Sequence, residues 1–242
     1  MTALRIYTAQ VNPTVGDISG NKTLILEHYK KSLAENADIC VLPEAVLCGY
    51  SPQDLLLRPQ FIHDIKEAAL TIVKEVTDTA LFLSVPWFDD TNGQLYNAVL
   101  FIHEQEIKQI IYKQCLPNFS VMDEKRVFSE GINNKIIPFK GVNIGLLVCH
   151  DTWWPEVSRN LKKAGADILI SLNASPYEID KEHFRTEFCK ARVKETGLFF
   201  YTSTLSAGKM RFFLMGALSQ LTLAKSRVIL SLHGKKRHVF LK

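Results

Sequence analysis

Short apolar runs that stop abruptly at turn or charged residues, separated by segments of helical periodicity, are the feature that most restricts how this chain can fold. Leu4 to Ala9 reads as an opening strand, followed by turn signals at Asn12-Pro13 and Gly16-Asp17. Asn21 to Asn36 carries Leu24, Ile25, Tyr29 and Leu33 at helical spacing, with Asn21 placed to cap. Ile39 to Leu42 is a short buried strand ending at Pro43-Glu44. A strand, a helix and a strand in that order open an α/β fold.

The alternation continues. Phe61 to Thr77 has a helical pattern, and Leu81 to Val85 is a core strand expected to close at Pro86. Gln94 to His103 and Gln105 to Lys113 form a strand hairpin turning near Glu104. Pro117 to Gly131 is loop-rich, and Lys135 to Phe139 with Val142 to Val148 gives another strand pair. Ser158 to Lys163 is helical, Ile168 to Leu172 a strand, Lys181 to Thr196 a strongly charged helix, and Phe199 to Thr202 the start of a further strand. At 242 residues with 47% hydrophobic content, the chain can bury a sizeable core.

Composition removes several function classes. No apolar run of about 18 residues is present, so no transmembrane helix is expected. Met1 to Ala9 lacks a signal pattern, which makes the cytoplasm the expected location. Five cysteines, at 40, 48, 115, 149 and 189, show no metal-ligand spacing; free thiols and no metal site are expected. The net charge of +4 is unevenly placed: residues 1–204 hold 21 Lys and Arg against all 25 Asp and Glu, while 205–242 hold eight basic residues and no acid. A basic tail can bind polyanions, but this one lacks interleaved aromatics or a known module, so no nucleic-acid partner is expected, and without a transmembrane run no membrane partner is expected either.

Three reactive side chains stand where predicted strands end: Glu44, Lys113 and Cys149. Strand ends are where α/β layers assemble sites, since loops leave there while the sheet stays rigid. A cysteine attacks carbonyl or nitrile carbon as thiolate and needs a base or cation beside it. Glu44 could take the thiol proton and return one to a leaving amine, and Lys113 could stabilise an oxyanion together with the N–H after Cys149. That trio allows amide hydrolysis through a thioester. A Cys149–His150 pair is the competing reading, although neighbouring side chains on an extended chain point apart.

Several longer stretches carry a resemblance: AQVNPTVGDISGN at 9–21, LPEAVLCGYSPQDLLLRP at 42–59, YKQCLPNFSVMDEKRVFSEG at 112–131, VCHDTWWPE at 148–156 and NASPYEIDKEHFR at 173–185. In these the chain resembles the nitrilase, or carbon–nitrogen hydrolase, superfamily, and within it the glutaminase domains of glutamine-dependent NAD synthetases. The resemblance implies an α-β-β-α sandwich over residues 1–204, with Glu44 as general base, Lys113 as oxyanion-stabilising lysine and Cys149 as nucleophile. It implies that Glu124 supports the lysine and the substrate amine. Tyr50 and Phe119 would line the pocket, and Ser175 would lie in a glutamine-binding loop. His150 stands where the family commonly has an acid that could hold the substrate ammonium, and Phe119 where it often has Tyr.

The implied reaction is hydrolysis of glutamine to glutamate and ammonia, without a cofactor, the ammonia serving to amidate deaminated NAD. ATP and Mg would belong to an ammonia-accepting synthetase unit, whose SGGxDS loop the sequence lacks; a homo-oligomer of sandwiches is expected. A stand-alone amidase or nitrilase, or an inactive truncated remnant, are the alternatives.

From about Thr202 the resemblance stops. Permitted codons for Lys209 to Gly216, read from the third base of each, give Asp-Glu-Ile-Phe-Phe-Asp-Gly; extended back to Thr202 the same shift yields VNLVGGQDEIFFDG, close to the family's continuation. Residues 205–242 are therefore expected to be a divergent basic tail, out of frame, that replaces the last strands of the sandwich and leaves a sheet edge uncovered.

Overall fold

The computed structural model describes residues 4–132, 135–176 and 181–204, together with the backbone of 220–221, 228–232 and 235–239. In chain order the elements are β1 (Leu4–Thr8), α1 (Ile18–Ala34), β2 (Ile39–Val41), α2 (Pro59–Glu75), β3 (Ala80–Asp89), β4 (Gln94–His103), β5 (Glu106–Tyr112), β6 (Asn118–Phe119), β7 (Met122–Asp123), β8 (Ile136–Phe139), β9 (Val142–Val148), α3 (Pro155–Lys163), β10 (Ile168–Asn173), α4 (Lys181–Thr196), β11 (Phe199–Thr204), β12 (Gln220–Leu221), β13 (Val228–Leu232) and β14 (Lys235–Val239).

The strands form two sheets, ordered β14-β13-β1-β2-β3-β4-β5 and β12-β11-β10-β9-β8, and β6-β7 is a separate hairpin. The pleat sorts their side chains into layers, because successive residues of a strand face opposite sides. Ile6, Val41, Phe82, Val99 and Phe101 of the first sheet meet Ile144, Leu146, Ile170, Leu172 and Tyr201 of the second in one apolar cluster. Residues between them in sequence turn the other way: Tyr7, Cys40, Leu81 and Leu83 pack under Ile25 and Tyr29 of α1 and Ile65 and Ile72 of α2. Leu147, Leu169 and Phe200 pack under Val157 and Leu161 of α3 and Cys189 and Val193 of α4. Helices, sheet, sheet, helices is the expected α-β-β-α sandwich.

Local chemistry explains where the elements differ from expectation. The first helix is capped by Asp17, whose carboxylate accepts from the Gly20 N–H, and not by Asn21. Asn21 is buried inside the helix and ties two loops, accepting from Thr14 N and donating to Thr14 O and Leu47 O. β3 runs through Pro86 instead of closing there, with Pro86 opposite Asn97. Its pairing with β2 ends at Phe82, so one side of the strand is open at Pro86 and the missing N–H costs no ladder bond. The expected turn of the β4-β5 hairpin is at Glu104-Gln105, both at positive φ (52° and 60°), the conformation a two-residue hairpin loop needs.

The edge expected to be left uncovered at the end of the sandwich is covered in part among the described residues, fully along β1 and only at Phe200 and Tyr201 of β11. β13 pairs in parallel along β1 from Leu4↔Val228 to Thr8↔Leu232, and β12 pairs with β11. A strand edge offers N–H and C=O groups to any extended segment whatever its side chains, and Val228 to Leu232 is rich in strand-forming residues. Residues 177–180 of the NASPYEIDKEHFR stretch and most of the tail, including the 205–219 part of the shifted-frame segment, lie outside the described residues.

Candidate active site

Glu44, Lys113 and Cys149 come together at the ends of strands from both sheets. Glu44 follows β2, and the next residue, Ala45, takes φ 50° while its N–H donates to Ser84 Oγ at 3.0 Å. Lys113 follows β5; its N–H donates to the Asn97 carbonyl of β4 at 2.8 Å, and its carbonyl accepts from Gly131 N at 2.7 Å. Cys149 follows β9 and opens a turn of 3-10 helix, Cys149–Trp153, at φ 47°. A non-glycine residue in the left-handed region costs on the order of 1–3 kcal/mol. The strain turns the chain sharply out of the sheet at the thiol.

The side chains form one buried network. Lys113 Nζ donates to Glu44 Oε1 at 2.8 Å and to Glu124 Oε1 at 2.9 Å, and all three side chains are removed from solvent. Tyr50 OH donates to the same Glu124 oxygen at 2.9 Å, and Asn97 Nδ2 to the same Glu44 oxygen at 2.8 Å. Cys149 Sγ lies 3.8 Å from Ser175 Oγ. Among the described residues, Glu44 Oε2, Glu124 Oε2 and Asn97 Oδ1 are buried acceptors with no hydrogen-bond partner. Buried acceptors without a protein partner are open to a ligand that brings donors.

The electrostatics follow from burial and the two carboxylates. Burial, then the charge of Glu44, pushes the Cys149 thiol up to about 12, with Lys113 opposing. Burial works against the Lys113 charge, but Glu124 and Glu44 outweigh it and hold the ammonium above its ordinary range. Burial raises Glu124 as well, against the opposing pull of Lys113. The resting site therefore holds a neutral thiol and a permanent cation.

Asp151 locks the two halves of the site. Its Oδ1 accepts from Gln114 N at 3.0 Å and Cys115 N at 2.8 Å, just past the lysine, and its Oδ2 from Val148 N at 3.0 Å, just before the cysteine. The carboxyl is buried, and desolvation pushes it up to about 6 despite these three donors.

Of the other expected residues, Tyr50 and Glu124 are inside the network, and Ser175 is beside the thiol. Phe119 is 45% exposed on the β6-β7 hairpin and tilts over His150 at 5.4 Å between ring centroids. His150 in turn lies 5.5 Å from Trp153 and 6.2 Å from Trp154, in an aromatic group at the rim. The argument against a Cys149–His150 pair assumed an extended chain, whereas the turn begins at Cys149 itself; the His150 ring packs with Phe119, Trp153 and Trp154. Asn97 and Asp151 were not singled out from sequence. An amide inside the apolar run LYNAVLFIH was the available signal for Asn97.

Residues 5–204 match the carbon-nitrogen hydrolase family. The chain belongs to that family. Glutamine-dependent NAD(+) synthetases are among its relatives: that of Aquifex aeolicus is 35% identical over 209 residues, 85% of this chain and 36% of the relative. That of Rhodobacter capsulatus is 37% identical over 195 residues, 80% and 35% respectively. The chain thus spans about a third of the length of the curated relatives it matches. Among solved structures, glutamine-dependent NAD+ synthetase from Acinetobacter baumannii superposes with a TM-score of 0.83 at 28% identity, covering 87% of this chain and 40% of that one. An amidase from Nesterenkonia sp. superposes with a TM-score of 0.79 at 20% identity, covering 90% and 81%, which is a likeness of fold. The chain is thereby a carbon-nitrogen hydrolase of the nitrilase superfamily, with synthetase relatives. Among the described residues no helix is long and apolar enough to cross a membrane, and no group of His, Cys, Asp and Glu could hold a metal ion.

Proposed function

We propose that this domain hydrolyses the side-chain amide of glutamine to glutamate and ammonia through a thioester on Cys149. The observation that carries the reading is Lys113 Nζ held between Glu44 and Glu124 beside a strained cysteine, in a chain whose relatives are glutamine-dependent enzymes. Glu44 takes the Sγ proton as sulfur adds to the amide carbon; Lys113 and a backbone N–H stabilise the oxyanion. The C–N bond then breaks and ammonia leaves with the proton held by Glu44. Water attacks the thioester, Glu44 again removes a proton, and glutamate leaves as Sγ regains its hydrogen. A thiol at about 12 is consistent with a base that acts during attack.

In this reading Tyr50, Phe119, Glu124, His150 and Ser175 surround the substrate, no cofactor is consumed, and the reaction runs in the cytoplasm. The ammonia passes to a synthetase unit that uses ATP and Mg to amidate deaminated NAD, and the sandwiches pair as homo-oligomers. Assay of ammonia release from glutamine, with Cys149→Ala as control, tests it. Equal release from both proteins sinks the catalytic reading and favours an inactive remnant; turnover of simple amides but not glutamine favours a stand-alone amidase.

We infer further that residues from about 202 are translated out of frame. The family match stops at 204, and the following residues contain no acid, which supports the shift. A DNA read whose Lys209 to Gly216 codons do not give DEIFFDG in the shifted frame ends that idea.

A further inference from the structure

We propose that Asn97 is a positioning residue that decides which oxygen of Glu44 carries the proton. The inference rests on the reading of Glu44 as the base. Lys113 Nζ and Asn97 Nδ2 both donate to Oε1, at 2.8 Å each, and Oε2 is buried with no donor among the described residues. A carboxylate held by one flexible ammonium can rotate and offer either oxygen. A second donor on a different strand removes that freedom, leaving Oε2 as the open, proton-accepting atom.

Asn97 is well placed for this. It sits on β4 with 1% exposure, and its own carbonyl accepts the Lys113 N–H at 2.8 Å. One residue therefore holds the backbone of the lysine and the carboxylate of the base, so the two move together. The orientation of its amide follows from the partner: Glu44 Oε1 already accepts from the Lys113 ammonium, so it is the Nδ2 donor of Asn97 that faces it. That leaves Oδ1 buried and unfilled beside the base, an acceptor for the ammonia that leaves there. A buried polar side chain with half its capacity unused costs stability and calls for an explanation, and orientation of Glu44 supplies one.

The test is a double-mutant cycle on the full chain, read by alkylation of Cys149 with iodoacetamide and peptide mass spectrometry. In that probe Sγ displaces iodide and its proton passes to Glu44, so the base is needed and glutamine is not. Asn97→Leu should slow alkylation about tenfold, the loss of one hydrogen bond to a charged group. In a Glu44→Gln background the same change should act by less than about twofold, because residues acting through one another are not additive. Equal slowing in both backgrounds, or none when Glu44 is present, overturns the proposal. Asn97→Ser, which keeps the strand backbone and leaves room rather than filling it, repeats the comparison should leucine prevent folding. With glutamine as substrate, Asn97→Leu should lower kcat on the order of 10²-fold with KM little changed. A non-additive cycle in a chain that releases no ammonia from glutamine discards the substrate and keeps Asn97.

Discussion

Replacing Lys113 by Met should reveal how strongly the two carboxylates depend on it. The stem length and apolar contacts are kept, while the one charge that holds Glu44 and Glu124 is removed. Bonded to the same Nζ at 2.8 and 2.9 Å, the two Oε1 atoms lie no more than about 5.7 Å apart. At that distance, with an effective dielectric constant of about 20, two unit charges repel by about 3 kcal/mol, and loss of their solvation adds to it. The chain can escape by protonating one carboxyl, which from an ordinary glutamate value costs about 5 kcal/mol at pH 8 and about 1 kcal/mol at pH 5.

Lys113→Met should therefore be less stable than the parent by about 3–5 kcal/mol at pH 8, the size seen when one partner of a buried pair is removed. The sign of the pH dependence is fixed. A carboxyl whose folded pKa is raised contributes stability at low pH that is lost as pH rises. The deficit should shrink to roughly 1 kcal/mol near pH 5. Urea unfolding followed by tryptophan fluorescence at both pH values measures it, and adding Glu124→Gln should recover most of the loss at pH 8. A deficit below about 1 kcal/mol at pH 8, or one identical at both pH values, would refute the account.

Asp151, raised by burial to about 6, contributes stability that is present at low pH and lost as pH rises through that value. Against Asp151→Asn, the parent should lose about 1 kcal/mol between pH 5 and pH 7, and a flat difference in urea midpoints counts against a buried, titrating clamp. Gly131→Ala would place a Cβ 2.6 Å from Tyr112 Cβ and 2.9 Å from the Lys113 carbonyl. It should cost about 1–3 kcal/mol and, by shifting Lys113, lower ammonia release on the order of 10²-fold. Unchanged turnover would show that the lysine tolerates movement of its backbone.

Glu44, Lys113 and Cys149 were legible because each stands where an apolar strand stops, and such a stop survives in a linear reading. Glu44 after Ile39 to Leu42, Lys113 after the β5 arm and Cys149 after Ile144 to Val148 announce themselves by what precedes them. Their partners do not. Asn97 lies inside an apolar strand that continues on both sides of it, and its meaning depends on Glu44, 53 residues away in sequence. Asp151 looks like an ordinary turn residue, since its donors at Gln114 and Cys115 come from another sheet. Asn21 has the composition of a cap and the job of a loop tie, a choice made by burial against Leu47 O rather than by helix preference. The pattern is general within this chain: reactive side chains at strand ends are visible in sequence, and the residues bonded to them, or to the backbone beside them, become visible only when distant strands are brought together. That division is also why a resemblance confined to motifs can single out Glu44, Lys113 and Cys149 and still leave open how their atoms are aimed, which turns on contacts such as those of Asn97 to Glu44 and of Asp151 to the backbone beside Lys113 and Cys149.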